Sequence, residues 1–482
     1  MTPTDPKASA APSGATPAPA PAPSAPAFAT LPLPPAMQAN LQQLGYLSMT
    51  PIQAASLPLA LAGQDLIAQA KTGSGKTAAF SLPLLTNLNP RRFAVQGLVL
   101  CPTRELAEQV TQEIRRLARA ADNIKTLTLC GGVPVRNQLA SLAHGAHIVV
   151  GTPGRILDHL ERGTLALDAL NTLVLDEADR MLDMGFAEDI ARVVAAAPKA
   201  RQTLLFSATY PDGVAQLAAR FMREPQEIKL AERHAANKIR QYFFEVAESE
   251  RLHAVGLLLN HYRPASTLAF CNTKQQCRDL VAVLRAQGLV ALELHGDLEQ
   301  RERDQVLVQF ANRSCSVLVA TDVAARGLDI AQLEAVINVD VTPDPEVHVH
   351  RVGRTGRAGE DGWAFSLASL DEMGSVGRIE QMQGATSQWL PLAGLEAPAG
   401  AEPLHPPMVT LQILGGRKEK IRPGDVLGAL TKDMGFAGAQ IGKINVNEFS
   451  TYVAIERGVA DTVLRSLNAG KVKGKSVKAR RL

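Results

Sequence analysis

The stretch "DLIAQAKTGSGKT" (residues 65–77) joins a short apolar run to a loop that holds two glycines and ends in Lys76 and Thr77. Glycines let backbone N–H groups curl around phosphate oxygens. The Lys76 ammonium then reaches the β and γ phosphates, and the Thr77 hydroxyl reaches Mg²⁺. The sequence therefore predicts a loop that binds ATP and Mg²⁺, although a plain strand–helix turn stays open. The residues of this loop are Ala70, Lys71, Thr72, Gly73, Ser74, Gly75, Lys76 and Thr77.

A phosphate loop needs an acidic partner on another strand, and "TLVLDEAD" (residues 172–179) supplies one. Asp176 follows the apolar run and is expected to hold Mg²⁺, mostly through water. The adjacent Glu177 is placed to orient or deprotonate an attacking water molecule. Lys76, Asp176 and Glu177 are therefore candidate catalytic residues. Either acid is also suited to capping the start of a helix, and that alternative stays open.

Apolar runs that stop at polar, glycine- or proline-containing loops recur along the chain and alternate with helical patterns. The runs of a first unit, residues 28–230, include "GLVLCPT" (97–103), "HIVVGTP" (147–153) and "TLLFSAT" (203–209). A charged linker, 231–240, precedes a second unit, 241–388, with "TLAFCNT" (267–273), "VLVATD" (317–322) and "AVINVD" (335–340). This pattern predicts an α/β fold with two tandem parallel sheets, and ligand sites beyond the carboxyl ends of their strands.

The two ends of the chain differ from this pattern. Residues 1–27 are mostly Pro, Ala, Ser and Thr, which predicts a disordered arm. A Pro- and Ala-rich linker, 389–407, precedes a third unit, 408–482, whose elements read β-α-β-β-α. In the terminal "GKVKGKSVKARRL" (470–482), we predict a basic loop up to Lys475 and then a strand over 476–480. That strand turns Val477 and Ala479 inward and completes a small α+β domain.

Bulk composition limits the class of protein. The 482 residues are 46% hydrophobic, and the net charge is only +3, so a site for a polyanion must be local. No apolar run approaches the ~18 residues of a membrane span, and a secretory signal pattern is absent. The five cysteines show no CxxC spacing, which favours buried, reduced thiols. We therefore expect a cytoplasmic enzyme without a membrane partner.

Nine motifs together resemble the DEAD-box RNA helicases and occur in the order that this family has. They are "GYLSMTPIQ" (45–53), "AKTGSGKT" (70–77), "PTREL" (102–106), "GG" (131–132), "TPGR" (152–155), "DEAD" (176–179), "SAT" (207–209), "ATDVAARGLDI" (320–330) and "HRVGRTGR" (350–357). The resemblance spans residues 28–388, and an Ala at the start of the phosphate loop is normal for the family. It implies two RecA-like domains with ATP and RNA between them.

The resemblance also implies roles for residues outside the phosphate loop. Thr50 and Gln53 would read adenine, and Asp329 would contact the ribose. Phe28 would stack on adenine, although a core role stays open. The residues implied to couple hydrolysis to RNA work are Asp179, Ser207, Thr209 and His350. Arg354 and Arg357 would be catalytic arginine fingers that stabilise charge on the γ-phosphate, although a solvated basic helix end is the general alternative.

A further set mixes hydroxyls, glycine backbone and single arginines at strand ends, and such groups suit phosphate and 2′-OH contacts without reading bases. The resemblance likewise implies that they hold an RNA strand by its backbone. The residues are Thr103, Arg104, Gly132, Thr152, Gly154, Arg155, Arg303 and Thr321. Thr103 and Thr152, taken singly, are also suited to capping helices.

The third unit resembles the C-terminal RNA-binding domain of DbpA-type DEAD-box proteins. This resemblance implies an RRM-like fold that recognises a 23S ribosomal RNA hairpin and acts on pre-50S particles. Its basic candidates are Arg417, Lys418, Lys420, Arg422, Lys471, Lys473 and Lys475. The third strand lacks the usual RRM aromatics, and Tyr452 is left as a stacking or a core residue. A protein-interaction module, a general mRNA or cold-stress helicase and an ATP-gated RNA clamp stay open. We expect a monomer.

Overall fold

The computed structural model describes residues 26–70, 73–121, 123–229, 239–325, 333–356, 361–398, 400 and 404–482. Lys71, Thr72, Asp329 and Arg357 lie outside the described residues, as do positions 1–25 of the predicted arm. Within the described part, no helix is long and apolar enough to span a membrane.

The first unit forms a seven-stranded, all-parallel sheet with the order β3-β4-β2-β5-β6-β1-β7. Its strands are β1 Leu66–Gln69, β2 Gly97–Leu100, β3 Thr126–Leu129, β4 Ile148–Gly151, β5 Thr172–Asp176, β6 Gln202–Ser207 and β7 Gln226–Lys229. Its helices are α1 Pro35–Gln43, α2 Pro51–Leu61, α3 Lys76–Thr86, α4 Arg104–Leu117, α5 Val135–Leu142, α6 Pro153–Glu161, α7 Ala178–Asp183, α8 Ala187–Ala195 and α9 Asp212–Phe221. Successive strand residues enter separate apolar cores, one on each face of the sheet.

The second unit forms a six-stranded, all-parallel sheet with the order β10-β11-β9-β12-β13-β8. Its strands are β8 Ile239–Glu245, β9 Thr267–Cys271, β10 Ala291–Leu294, β11 Val317–Thr321, β12 Ala335–Asn338 and β13 Gly362–Ala368. Its helices are α10 Arg251–Tyr262, α11 Lys274–Ala286, α12 Gln300–Ala311, α13 Asp322–Ala325, α14 Pro345–Val352 and α15 Met373–Gln383.

Threonines fix where several of these helices begin. The Thr103 side chain accepts a hydrogen bond from the Leu106 N–H at 3.3 Å, and Thr273 does the same for Gln276 at 3.1 Å. Such caps satisfy backbone donors that the first turn of a helix leaves unpaired. The two helices begin directly after the carboxyl ends of β2 and β9, and the predicted residues Thr103 and Arg104 lie at the first of these ends.

The linker boundaries that composition predicts need correction. Ile239 already belongs to β8, so the second domain begins before position 241. Trp389 packs on Phe243 with 5.5 Å between ring centroids, and the Leu390 N–H donates to the Phe243 carbonyl at 2.9 Å. Leu390, Leu392 and Leu395 pack against the core of the second domain. The first part of the 389–407 segment therefore covers the edge strand β8, because its leucine side chains are partly buried against that domain.

The third unit forms an antiparallel sheet with the order β15-β16-β14-β19. Its strands are β14 Met408–Ile413, β15 Ile441–Val446, β16 Thr451–Glu456 and β19 Ala479–Arg481. Its helices are α16 Pro423–Gly428, which continues as a π-helical turn over Ala429–Asp433, and α17 Ala460–Ala469. Both helices pack on one face of the sheet around a separate core.

The C-terminal stretch differs in part from the prediction. Lys471–Val472 (β17) and Lys475–Ser476 (β18) form a small hairpin, and the last sheet strand, β19, begins at Ala479 rather than at 476. Lys473 and Gly474 both have positive φ, at 53° and 75°, which is the geometry of a tight two-residue hairpin turn. Val477 and Ala479 do pack against the core, as predicted.

The second and third domains meet through Thr410 of β14. Its hydroxyl hydrogen-bonds with the Asn312 amide at 3.1 Å and with the Ser314 hydroxyl at 2.7 Å. Thr410, Gln412 and Tyr452 lie on the sheet face opposite the core helices, and all three are buried. The Tyr452 hydroxyl accepts from Gln412 at 3.3 Å, so Tyr452 is a buried packing residue rather than an exposed stacking one.

All five cysteines are buried and free, which confirms the prediction of buried thiols. Burial raises the pKa of Cys130 and of Cys315 to about 12.

Candidate active site and RNA interface

The phosphate loop is fastened to helix α2 through Gln53. The Gln53 amide donates to the Gly75 carbonyl at 3.0 Å and accepts from the Thr50 N–H at 2.8 Å. Gly75 has φ of +91°, and a Cβ there would lie 2.5 Å from Gln53 Nε2. Gly75 is therefore required both by the turn and by the approach of Gln53. The amide keeps a second hydrogen and a second lone pair, so its adenine contact stays a prediction.

Phe28 is a core residue in the structure. Its ring is only 2% exposed and meets Tyr46 edge-on, with 5.8 Å between centroids. This position agrees with the core alternative, and stacking on adenine stays a prediction.

Three charged side chains at the start of α3 and the end of β5 are buried. Within the described residues, Lys76 Nζ, Asp176 Oδ1 and Glu177 Oε2 have no hydrogen-bond partner. Burial raises the pKa of Asp176 to about 7, while Lys76 opposes the rise and Glu177 adds to it. Buried charged atoms that lack hydrogen bonds are costly, so these groups indicate a site for charged ligands. The Thr77 and Asp176 oxygens are of the kind that Mg²⁺ prefers.

Glu177 begins α7 with φ of +54°, a left-handed conformation that is strained for this residue. Its side chain makes no capping hydrogen bond, so the cap alternative does not describe it. Arg180 lies nearby, with 3.5 Å between its guanidinium and the Glu177 carboxylate. The Glu177 carboxylate is therefore held in place beside Asp176 by the backbone turn and by Arg180.

The DEAD and SAT motifs are joined through Asp179. Its carboxylate accepts from the Thr209 N–H at 2.9 Å and from the Thr209 hydroxyl at 2.8 Å, and its N–H donates to the Ser207 hydroxyl at 3.2 Å. Burial alone would raise the pKa of Asp179, but the hydrogen bonds from Thr209 and Ser207 lower it below its usual value. The structure thus brings together three of the four predicted coupling residues.

The fourth, His350, reaches this cluster from the second domain. His350 and Arg354 line a cavity of about 140 Å³ together with Asp179, Arg180 and Thr209. Burial, with Arg180 adding to it, lowers the pKa of His350 to about 4, so its ring is neutral at pH 7. Arg354 is only 4% exposed, which excludes the solvated-helix alternative for it.

Arg351, between these two residues, has a structural role that the sequence did not predict. Its guanidinium forms a two-bond contact with the Asp322 carboxylate at 2.7 and 2.6 Å and donates to the Asp340 carbonyl at 2.8 Å. It thereby ties α14 to the ends of β11 and β12. The sequence shows that both the "ATD" motif, which contains Asp322, and the "HR" pair, which contains Arg351, are present. It does not show that these two side chains are in contact.

The predicted RNA-contacting arginines meet across the two α/β domains. Arg303 donates to Glu105 at 2.5 Å and to the Ala324 carbonyl at 2.7 Å. Arg104 lies 3.7 Å from Asp304 and donates to Glu108 at 3.1 Å. Arg104 and Glu105 of the first domain therefore pair with Asp304 and Arg303 of the second, so that each domain supplies one base and one acid. The sequence did not predict these two adjacent ion pairs.

Glycine and hydroxyl positions of the same path lie at or just after the carboxyl ends of four strands, β2, β3, β4 and β11. A Cβ on Gly132 would lie 3.3 Å from Nη1 of Arg104 and 3.3 Å from Oε1 of Gln300, and one on Gly154 would lie 3.3 Å from an Asp189 carboxylate oxygen. Thr152 begins α6 without a side-chain cap, whereas Thr103 caps α4. Thr321 ends β11 and is half-buried.

Arg155 supports the loop that follows β3. It donates to the Val133 carbonyl at 3.1 Å and to Gln138 at 2.8 Å. These bonds engage one of its nitrogens, and its RNA contact stays a prediction.

We define the basic surface of the third domain as loop 414–422 and hairpin 471–476. All of its predicted basic side chains are exposed, namely Arg417, Lys418, Lys420, Arg422, Lys471, Lys473 and Lys475. Lys473 joins the two parts, because its ammonium donates to the Lys420 carbonyl at 2.6 Å and lies 3.4 Å from Asp425. The two parts therefore form one continuous surface.

This surface continues onto the first domain. A cavity of about 510 Å³ is lined by Arg104 and Arg115 of the first domain and by Arg417 and Lys418 of the third. Burial lowers the pKa of Arg115, and the charge of Arg417 lowers it further. Arg115 therefore lies where the first and third domains meet. Its place in a helical sequence pattern did not predict this position.

Three protein-family models match the chain in succession. They are the DEAD/DEAH box helicase model over residues 50–217, the helicase conserved C-terminal domain over 250–359, and the DbpA RNA binding domain over 410–481.

Similar proteins agree with this division. The ATP-dependent RNA helicase DbpA of Escherichia coli (strain K12) is 53% identical over 456 residues, which are 94% of this chain and 99% of that protein. The DEAD-box ATP-dependent RNA helicase CshA of Geobacillus kaustophilus (strain HTA426) is 44% identical over 73% of this chain and 76% of its own.

Among solved structures, Saccharomyces cerevisiae Dbp5 bound to RNA and ADP BeF3 has a TM-score of 0.71 and 31% identity, covering 77% of this chain and 96% of that one. The predicted fold class of two RecA-like domains with a small C-terminal α+β domain is thus confirmed. The motifs, the geometry between them and the relatives agree, and the chain belongs to the DEAD-box ATP-dependent RNA helicases of the DbpA type.

Proposed function

We propose that this helicase acts on 23S ribosomal RNA in the late assembly of the large ribosomal subunit, with pre-50S particles as its partners. The observation that carries the proposal is the exposed basic surface on a domain that matches the DbpA RNA binding model. The predicted RNA contacts of the two α/β domains are hydroxyls, glycines and arginines, which carry no base information. Selection of one RNA therefore belongs to the third domain.

For ATP hydrolysis, each buried charge has a role that its position supports. Lys76 binds the β and γ phosphates, and Glu177 orients the attacking water and takes its proton. Thr77 and Asp176 would hold Mg²⁺, which supplies charge neutralisation for the phosphates when bound. Arg354 stabilises the negative charge that develops on the transferred phosphoryl group.

Coupling to RNA follows from where these groups lie. Lys76 and Glu177 belong to the first domain, whereas His350 and Arg354 belong to the second. The set of catalytic groups is complete only when both domains face the same nucleotide. RNA that bridges the two domains therefore promotes ATP turnover. Asp179, held by Ser207 and Thr209, relays the state of the DEAD motif to the SAT motif. We further propose a cytoplasmic monomer that separates short duplexes locally.

The test compares ATP turnover with a 23S fragment from the peptidyl-transferase region and with random RNA hairpins of equal length. The fragment should stimulate turnover at far lower concentration. Equal stimulation would remove the ribosomal assignment and favour a general mRNA helicase. Tight RNA retention with a non-hydrolysable nucleotide, without duplex separation, would favour an ATP-gated clamp instead.

A further inference from the structure

Phe449 is a large aromatic residue that the protein exposes on the third domain. It lies in the turn between β15 and β16, and 65% of its surface is exposed. Phe449 is not among the residues predicted to contact ATP or RNA. An aromatic ring in this position gives the domain no core packing, so its presence calls for another explanation.

Backbone hydrogen bonds fix the position of this turn. The Asn447 N–H donates to the Ser450 carbonyl at 2.8 Å, which closes the turn around Phe449. The Arg417 N–H donates to the Asn447 carbonyl at 2.8 Å, and the Lys418 N–H donates to the Glu448 carbonyl at 3.0 Å. The ring is therefore presented to solvent on a turn that is pinned to the basic surface, which limits the entropy lost on binding.

The neighbouring loop can approach this closely because of one glycine. A Cβ on Gly416 would lie 2.3 Å from the Asn447 carbonyl oxygen and 2.7 Å from that of Glu448. The contact between loop 414–422 and the Phe449 turn is thus built into the backbone, and it holds Lys418 beside the ring.

The charges around the ring favour nucleic acid. Lys418 Nζ lies 5.8 Å from the Phe449 ring centroid, within the range of a cation–π contact. Lys418 also lines the cavity that Arg417 shares with Arg104 and Arg115 of the first domain. Glu448, 3.4 Å from Lys418, is the acidic member of this cavity's third-domain lining, and a carboxylate accepts hydrogen bonds from base amino groups.

The usual stacking surface of an RRM-like domain is not accessible here. Tyr452 is only 3% exposed, and Thr410 on the same sheet face is bonded to Asn312 and Ser314 of the second domain. Aromatic contact with a base must therefore come from outside the sheet face. Of the large hydrophobic side chains exposed in the described part of the third domain, Phe449 alone is aromatic.

We propose that Phe449 stacks on an unpaired RNA base, such as one in a hairpin loop, while Lys418 and Arg417 hold the adjacent phosphates. Aromatic rings beside cations bind single-stranded bases in this way. The inference rests on the proposed function, since it assigns a residue by which the third domain selects its RNA.

The experiment measures binding of the full chain to the 23S fragment and to random hairpins of equal length. Phe449→Leu, which keeps an apolar side chain but removes the ring, should weaken binding of the 23S fragment about 10-fold. Phe449→Trp should bind within a few-fold of the unmodified protein, and its added indole fluorescence should be quenched by the fragment. Leu427→Ala, at another exposed apolar side chain of the same domain, should leave binding unchanged.

Salt dependence separates stacking from charge. Phe449→Leu should keep the slope of log affinity against log salt, because no phosphate contact is lost. If Phe449→Leu binds the 23S fragment as tightly as the unmodified protein, the proposal that Phe449 stacks on a base is wrong. Contact with a protein partner would then explain the exposed ring. If the unmodified protein itself does not prefer the 23S fragment, the proposed function fails first, and the two failures are distinguishable.

Discussion

At the scale of single residues, the protein keeps ionisable groups in places where they cost stability. Lys76, Asp176 and Glu177 are buried with atoms that lack hydrogen-bond partners in the described residues. His348, on α14, is buried with neither ring nitrogen bonded to a described residue. The first three form the proposed nucleotide site, whereas His348 lies against Phe243 and Arg351 in the second domain. The two cases predict different responses to substitution.

Glu177→Gln keeps the shape of the side chain but removes the proton acceptor. We expect ATP turnover to fall about 10²–10⁴-fold, the usual contribution of a general base, while ATP binding is kept. Turnover and binding of a fluorescent nucleotide measure the two effects. Glu188→Gln, at an exposed position on α8, is the matched control. Turnover above a tenth of normal in Glu177→Gln would contradict the role.

His348 predicts a pH dependence of stability. Burial, with the charge of Arg351 adding to it, lowers the pKa of His348 to about 4, against about 6.5 in an unfolded chain. Between these values the unfolded state binds a proton that the folded state excludes, so stability is lost as pH falls from 7 toward 4. At pH 5, His348 lowers the free energy of unfolding by about 2 kcal/mol relative to neutral pH.

His348→Phe should reduce the loss of stability between pH 7 and pH 5. Part of that loss should remain, because the pKa of His350 is also lowered to about 4. Both tryptophans, Trp363 and Trp389, pack in the second domain, so tryptophan fluorescence during urea unfolding at pH 7 and pH 5 follows that domain. His253→Phe, at an exposed position on α10, should keep the normal pH dependence. An unchanged dependence in His348→Phe would show that its burial is not the cause.

At the scale of elements, the terminal hairpin divides its lysines between two tasks. Lys473 bonds to the Lys420 carbonyl and pairs with Asp425, whereas the Lys471 and Lys475 side chains make no hydrogen bond or ion pair with the described residues. The turn that orients them is formed by Lys473 and Gly474, both with positive φ. The hairpin therefore joins two loops with one lysine and presents the others to solvent.

Lys471→Ala with Lys475→Ala should flatten the salt dependence of RNA binding. Each phosphate contact that is lost should reduce the slope of log affinity against log salt by about 0.7–0.9. Titrations of the 23S fragment at several salt concentrations measure this slope. Lys473→Ala should change the slope less, because its ammonium already has protein partners. If the double variant keeps the full slope, these lysines do not contact phosphate.

Local pattern was sufficient to predict some elements and insufficient for others. The phosphate loop, β5 and its acids were predictable because their residues are neighbours in sequence. The ion pair between Arg303 and Glu105 joins positions 198 apart, and no local pattern encodes that distance. Tyr452 was left undecided because its burial depends on how the third domain packs on the second. The start of β19 was misplaced because the alternation of Val477 and Ala479 fits a strand from 476 equally well.

At the scale of the whole molecule, the proposed nucleotide site is shared between domains that fold around separate cores. Arg354 enters the cavity from α14, and Asp179 and Thr209 enter it from the first domain. Glu105 and Arg303 join the same two domains at the predicted RNA path. The third domain is attached to the second through Thr410 and shares a cavity with the first. Movement between domains therefore alters both sites together.

Arg354→Ala should abolish RNA-stimulated ATP turnover, with a loss of about 10³-fold, while nucleotide binding stays nearly normal. The reason is that, in the proposed arginine-finger role, Arg354 would act only when the second domain faces the nucleotide held by the first. Turnover with and without RNA, together with nucleotide affinity, measures the effect. Arg240→Ala, at an exposed position on β8, is the control. Near-normal stimulated turnover in Arg354→Ala would contradict the arginine-finger role.

The burial of all five cysteines makes the protein suited to site-specific labelling. Each native thiol is at most 2% exposed, and burial raises the pKa of several, so thiolate-directed dyes react with them slowly. A cysteine introduced at an exposed position in each α/β domain would then be the preferred site of reaction without removal of the native ones. A fluorophore pair attached in this way would report the distance between the domains in single molecules during each round of ATP hydrolysis.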